Sequence, residues 1–237
     1  MNASPTSRPP SVLAFDVFGT VVDWHGGIAR EVLALRPEVN GGKFAMAWRA
    51  GYQPAMRRAM SGELGWTLID DLHRLILDGI LDQFGLSHVT EAQKRHLNKA
   101  WHRLDPWPDV VAGLTRLKTR FTICTLSNGN IGLLTNMAKY AGLPWDLVLS
   151  AEVFRHYKPD AETYLGATKI LGLTPGQVMM VAAHNNDLAA AQALGLKTAF
   201  VPRVTEYGPH QDRDFKADGN WDYVVTDFND LAAKLGC

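Results

Sequence analysis

Residues 11–27 read SVLAFDVFGTVVDWHGG. The apolar run Val12, Leu13, Ala14, Phe15 stops at a single acid, Asp16, and Phe18, Gly19 and Thr20 follow at once. A short run that is apolar on both faces reads as a strand buried between two helix layers, as strands of parallel sheets are. Five further stretches share that character: FTICTLSNG (121–129), WDLVLSAEVF (145–154), VMMVAAHNND (178–187), KTAFVPR (197–203) and WDYVVTDF (221–228). Between them, residues 110–119, 131–141, 161–171 and 187–194 carry helical spacing, and Gly142, Gly172 and Gly195 stand where helices commonly stop. Strand and helix in alternation predict an α/β fold, a doubly wound and mostly parallel Rossmann-like sheet.

Residues 24–105 break the rhythm. They hold long helical patterns (GIAREVLALR, GKFAMAWRAGYQPAMRRAM, TLIDDLHRLILDGILDQFG, TEAQKRHLNKAWHRL) and no convincing strand. The expectation is a helical cap at 23–105, inserted after the first strand of a core made of 1–22 and 106–237. Pro106 and Pro108 in DPWPDVV suit the return crossing.

Composition narrows the function classes. Lysine plus arginine total 24 and aspartate plus glutamate total 24, so no net field draws the molecule to nucleic acid or an anionic membrane. The two cysteines, Cys124 and Cys237, make neither a disulfide framework nor a metal-ligand spacing, which suits a reducing cytoplasm. MNASPTSRPPS at the start is polar and proline-rich, unlike a secretory signal, and is expected to be a frayed tail. No apolar segment approaches the roughly 18 residues of a membrane span, so a soluble protein is expected.

In open sheets of this kind, ligands bind beyond the carboxyl ends of the strands. Polar clusters are expected at such ends at 16–20, 127–129, 156–158 and 184–187, converging on one crevice that the cap roofs. Asp16 itself has three open roles there: nucleophile, metal ligand, or cap of a following helix. Lys158 precedes Pro159, which favours an extended backbone before it, and a lysine so placed is able to keep a buried aspartate ionised. Ser127, Asn128 and Gly129 offer a hydroxyl, an amide and turn N–H groups, enough to hold an anion, although a polar turn reads the same way.

Taken in order, these four groups resemble the motifs of the haloacid dehalogenase superfamily over nearly the whole chain. Its aspartate nucleophile in D-x-x-x-T matches Asp16 and Thr20; its strand-ending Ser or Thr matches Ser127; its lysine matches Lys158; its acidic fourth motif matches Asp187. The insert after Asp16 lies where that family carries its cap. Phosphatases of the superfamily place a second aspartate two residues after the nucleophile, to protonate a leaving alkoxide. Phe18 stands there, and VAAHNND supplies only Asp187 as a further acid, a poor set for a hard dication. Halide leaves without a proton.

FDVFGT is similar to the L-2-haloacid dehalogenase branch. That resemblance implies Arg49, in AWR, as the cap arginine that meets the halogen, Asn128 as a halide contact, and Tyr164 six residues beyond Lys158 as a site residue; on the residues alone, Arg49 reads as a surface arginine and Tyr164 as helix packing. The branch has Ser-Ser-Asn where this chain has Ala182, Ala183 and His184. His184 either takes part in proton transfer from water or is a hydrogen-bonded strand-end histidine. Trp48, Tyr52 and Trp66 are candidate pocket walls, and Trp24 a stronger one. The implied activity is hydrolysis of a short 2-haloacid through an ester on Asp16, with no metal or cofactor; the alternative is a Mg²⁺-dependent small-molecule phosphatase, and outside enzymes a carboxylate-binding module. A homodimer through the cap or an edge helix is compatible with the resemblance and not required by the residues.

Overall fold

A computed structural model describes residues 9–209 and 211–237, so the expected frayed tail falls, for residues 1–8, outside the described residues. Six strands, β1 (Val12–Phe15), β2 (Thr122–Ser127), β3 (Leu147–Ser150), β4 (Val178–Ala182), β5 (Lys197–Phe200) and β6 (Tyr223–Val224), form one sheet in the order β3-β2-β1-β4-β5-β6. Every pairing is parallel. β1 is therefore central, flanked by β2 on one side and β4 on the other. The strand order reverses there, and its carboxyl end opens on the crevice where such sheets bind ligands.

Alternation along the strands divides the interior. Leu13 and Phe15 belong to an apolar cluster that runs on into Trp24, Trp48 and Trp101, whereas Val12 and Ala14 face a second cluster with Tyr164 and Leu188. All of these are buried, and each large apolar side chain removed from water contributes about 1.5–3 kcal/mol.

Five helices, α1 (Trp24–Leu35), α2 (Gly41–Ala50), α3 (Tyr52–Met60), α4 (Ile69–Ile80) and α5 (Glu91–Asn98), follow β1 before the chain crosses back at Pro106, and no strand lies among them. The long pattern across 42–60 is two helices: Gly51 separates α2 from α3, and a Cβ there would fall 2.4 Å from Cγ2 of Ile76. Crossing to and from these inserted helices, the chain is tied to itself. Asp23 N–H donates to Asp105 O (2.9 Å), Trp107 N–H to Val21 O (3.0 Å) and the Trp107 indole to Gly19 O (2.8 Å). Asp23 also caps α1, accepting from Gly26 N–H at 2.8 Å.

The remaining helices are α6 (Val110–Lys118), α7 (Ile131–Ala141), α8 (Ala151–Phe154), α9 (Ala161–Ile170), α10 (Asn185–Ala193) and α11 (Phe228–Lys234). Gly142 takes a left-handed conformation (φ 66°) and stops α7 as expected. Two strands are shorter than the apolar pattern suggested. Ser150 ends β3 because its hydroxyl accepts from Glu152 N–H (3.0 Å) and starts α8, and Asp227 does the same for α11 by accepting from Asp230 N–H (2.8 Å). Residues 156–158 therefore follow a short helix, where a strand end was expected. No helix among the described residues is long and apolar enough to cross a membrane.

Candidate active site

Asp16 still keeps sheet register through its N–H, which donates to Val181 O (3.0 Å), while its side chain projects past the sheet. A tight turn follows, with Val21 N–H on Val17 O (2.9 Å) and Gly19 at φ 86°. The turn brings the Thr20 hydroxyl to 2.7 Å from Asp16 Oδ2, and because Thr20 Oγ1 accepts from Ala183 N–H (2.9 Å) its proton points at the carboxylate. Burial by itself pushes the Asp16 carboxyl up; Lys158, then His184 and Thr20, outweigh it and hold the group well below the usual carboxylate range.

Lys158 is buried, with its ammonium 3.0 Å from Asp16 Oδ1 and bonded to Asp187 Oδ2. Asp187, in the first turn of α10, also accepts from the Tyr164 hydroxyl of α9 at 2.6 Å. Burial opposes charge on Lys158, and the two aspartates more than offset it, so its pKa is raised. The loop that delivers Lys158 is clamped by Asn128, whose Oδ1 accepts from Lys158 N–H (2.7 Å) and whose Nδ2 donates to Lys158 O (3.3 Å). Ser127 is fully buried at the end of β2.

Above this floor lies a cavity of about 310 Å³ lined by Asp16, Phe18, Ser127, Asn128, Lys158, Tyr164, His184 and Asp187 from the core, and by Arg49, Tyr52, Gln53 and Met56 from the cap. Of the ten site residues expected from the sequence, only Thr20 does not line it, and Thr20 holds Asp16 from behind. Arg49 sits with its guanidinium over the Tyr52 ring (4.2 Å) and 5.7 Å from the Trp24 ring, and its Nε has no partner among the described residues. The Phe18 ring packs edge-on against Trp101 (5.8 Å) and His73 (6.3 Å), so the place two residues beyond Asp16 is apolar.

His184 Nδ1 lies 3.2 Å from Asp16 Oδ2, and its Nε2 lies 2.9 and 3.0 Å from the two oxygens of Glu206. Burial opposes its charge, but Glu206 and Asp16 raise its pKa well above the ordinary 6.5. Glu206, fully buried and outside the cavity wall, also accepts from the Trp24 indole (2.9 Å). Gly19 makes room for it, since a Cβ there would lie 2.1 Å from Glu206 Oε1. No motif marked Glu206. The signal that would have found it is positional, an acid shortly after the end of β5, at the same sheet edge as the other groups.

Of the proposed aromatic walls, Tyr52 lines the cavity; Trp48 is buried with its indole on His73 O (2.9 Å), Trp66 packs on Tyr157 (4.8 Å), and Trp24 reaches the site through Glu206. A divalent ion finds little here. Each oxygen of Asp16 and Asp187 already accepts from Lys158, Thr20, Tyr164 or faces His184, so the donor set does not fit the free oxygens a hard dication needs.

Residues 10–195 match the profile of the haloacid dehalogenase-like hydrolases. The chain belongs to that family. Its similarity to the L-2-haloacid dehalogenase branch is close: a crystallised defluorinating L-2-haloacid dehalogenase superposes with a TM-score of 0.93 at 47% identity, covering 99% of this chain and 98% of that one. A second crystallised L-2-haloacid dehalogenase gives 0.91 at 44%, covering 97% and 99%. The (S)-2-haloacid dehalogenase 1 of Pseudomonas sp. (strain CBS-3) is 29% identical over 84% of this chain and 87% of its own length. The parallel sheet and inserted helices are those of a haloacid dehalogenase-like hydrolase.

Proposed function

We propose that this hydrolase removes halide from short-chain (S)-2-haloacids, giving the (R)-2-hydroxyacid through an ester on Asp16. The observation that carries the reading is the Asp16 carboxylate itself: anionic, facing the cavity, and accompanied at the second position onward by the Phe18 ring instead of an acid. A phosphatase needs a proton donor there for its alkoxide, and a halide does not. Two further acids lie near: Glu206 is held outside the cavity by His184 and Trp24, and Asp214, on the cavity wall, accepts from Asn185 N–H and Nδ2 at 2.9 Å each.

In the first half-reaction an oxygen of Asp16 attacks C2 from the side opposite the halogen, which inverts the centre. Lys158 keeps the nucleophile ionised. Ser127 and the turn N–H groups after it receive the substrate carboxylate, and Arg49, with Asn128 beside it, meets the departing halide where negative charge develops. In the second, water attacks the ester carbonyl, with His184 as the base, Glu206 orienting its ring, and Asp187 helping to place the water. The cap, taken as 23–105, closes the cavity over a core of 1–22 and 106–237. A cytoplasmic location is part of the same proposal, supported by the free cysteines Cys124 and Cys237, the first with its thiol pushed up to about 12 by burial.

Chloride release from (S)- and (R)-2-chloropropionate, with EDTA present, tests the reaction. Release from the S form alone, undiminished by chelation, is expected; phosphate release from small esters that needs Mg²⁺, with no chloride release, overturns the reading. Single-turnover reaction in H₂¹⁸O is expected to label Asp16 and leave the first hydroxyacid unlabelled.

A further inference from the structure

His184 stands between two carboxylates. Nδ1 faces Asp16 Oδ2 at 3.2 Å and Nε2 faces both Glu206 oxygens at 2.9 and 3.0 Å. A neutral imidazole has one N–H, so it would turn a bare nitrogen lone pair toward one of those anions; an imidazolium has a proton for each. Both carboxylates are otherwise satisfied as anions, Asp16 by Lys158 and Thr20, Glu206 by the Trp24 indole. Esterification would cancel one of the two charges that this ring faces, and only that one.

We infer that consumption of Asp16 is itself the switch that turns His184 into a base: the resting ring is an imidazolium, and ester formation releases its Nδ1 proton to solvent before water attacks. The inference rests on the dehalogenase reading above. Its steps balance. Asp16 bonds to C2 while the carbon–halogen bond breaks and the halide takes the electron pair; the imidazolium, now opposed only by Glu206, gives up one proton. Water then bonds to the ester carbonyl carbon and gives one proton to Nδ1; as the acyl–oxygen bond breaks, its second proton passes to the leaving oxygen, which frees the hydroxyacid and restores carboxylate and imidazolium. One proton leaves per turnover, with the halide and ahead of the alcohol.

The other charged groups facing this part of the cavity are not altered in the first step. Lys158 and Asp187 stay paired; Arg49 comes from the cap, and Tyr207, Arg213 and Asp214 from the segment after β5. A ring pinned at both nitrogens is thus set by the charge of its two direct neighbours. The charge environment agrees, since Glu206 and Asp16 raise the His184 pKa against burial.

Asp16→Asn mimics the loss of charge without chemistry, and Asp16→Ala does so without an amide donor. In ¹⁵N-histidine-labelled protein, with His184→Asn used to assign its signals among the eight histidines, wild-type His184 is expected to show both nitrogens protonated through pH 8. In both Asp16 variants its titration midpoint is expected to fall by at least about two pH units, more than the ~1 unit expected of an unspecific change in surroundings. A neutral His184 in the wild type at pH 7, or an unchanged midpoint in the variants, overturns the inference. Chloride release by the wild type is measured in parallel: its absence, with the titration shift present, overturns the dehalogenase reading and leaves the charge coupling standing.

Discussion

Floor and roof of the cavity are built on opposite terms. On the floor, Asp16, Lys158, Asp187, His184 and Glu206 form one connected set in which every charge has an opposite charge or a hydrogen-bond donor against it. In the helical insert, polar groups are buried without such partners: Arg49 Nε, both ring nitrogens of His73, and the Trp101 indole find none among the described residues. His73 stacks on Trp101 at 4.2 Å, and burial lowers its pKa to about 3, so it adds no charge. The floor has its electrostatics in place before substrate arrives, whereas Arg49 stacks on Tyr52 with no ion pair among the described residues. A group that meets charge only as the halide leaves favours the transition state over the ground state.

The difference is broken most directly at its centre. Asp16→Asn removes the proposed nucleophile and is expected to lower chloride release by about 10⁴-fold or more. Substrate binding should survive, because the groups assigned to hold the carboxylate are elsewhere; titration calorimetry with (S)-2-chloropropionate checks it. Loss of binding together with turnover would mean that the floor is one structural unit.

Lys158→Met is the next largest. It leaves Asp187 without a cation and Asp16 with His184 alone, and breaking a buried pair costs about 3–5 kcal/mol. Activity is expected to fall by about 10³-fold, with a clearly lower melting temperature. The pH profile of stability sharpens this. Asp16, depressed when folded, contributes above its ordinary value of 3.8, and that contribution is lost as the pH falls through the folded value. His184, raised when folded, contributes fully below 6.5 and loses its contribution as the pH rises through the folded value. Glu206→Gln should therefore flatten the alkaline decline in melting temperature and leave the acid limb alone.

In the roof the effect is smaller and lies in rate. Arg49→Gln is expected to slow the halide-release step by about 10²-fold, as loss of one transition-state contact does. Unlike a floor variant, it should leave melting temperature nearly unchanged, since no protein partner is orphaned. A drop of several degrees would show that its stacking on Tyr52 is structural.

How far the sequence spoke follows the same division. The sheet was legible because buried parallel strands announce themselves as apolar runs, and Asp16, Ser127 and Asp187 could be placed because each follows such a run or a short turn from it, whereas the short helix α8 intervenes before Lys158. Capping by Ser150 and Asp227 shortened two strands, which a hydrophobic pattern does not reveal. Glu206 was illegible for another reason: it is joined to His184 only by a loop after β5 folding back to Gly19, and 182 residues separate it from its partner Trp24. The split of the cap helix at Gly51 depends on a contact with Ile76, equally remote from local periodicity.

Tyr164 is where the comparison is finest. On spacing alone it is a packing residue of α9, and it is fully buried. Its hydroxyl nevertheless gives Asp187 Oδ1 a partner at 2.6 Å, while Lys158 takes Oδ2. Tyr164→Phe keeps the ring and its packing but leaves one carboxylate oxygen bare, at a cost of about 1–3 kcal/mol for a charged group. At roughly 2–4 °C per kcal/mol for a domain of this size, a melting-temperature loss of a few degrees is expected. With its second partner gone, Asp187 draws more on Lys158, which then holds Asp16 less well, so kcat should fall several-fold. If the variant melts and turns over as the wild type does, the hydroxyl is incidental and the floor is less tightly joined than its distances imply.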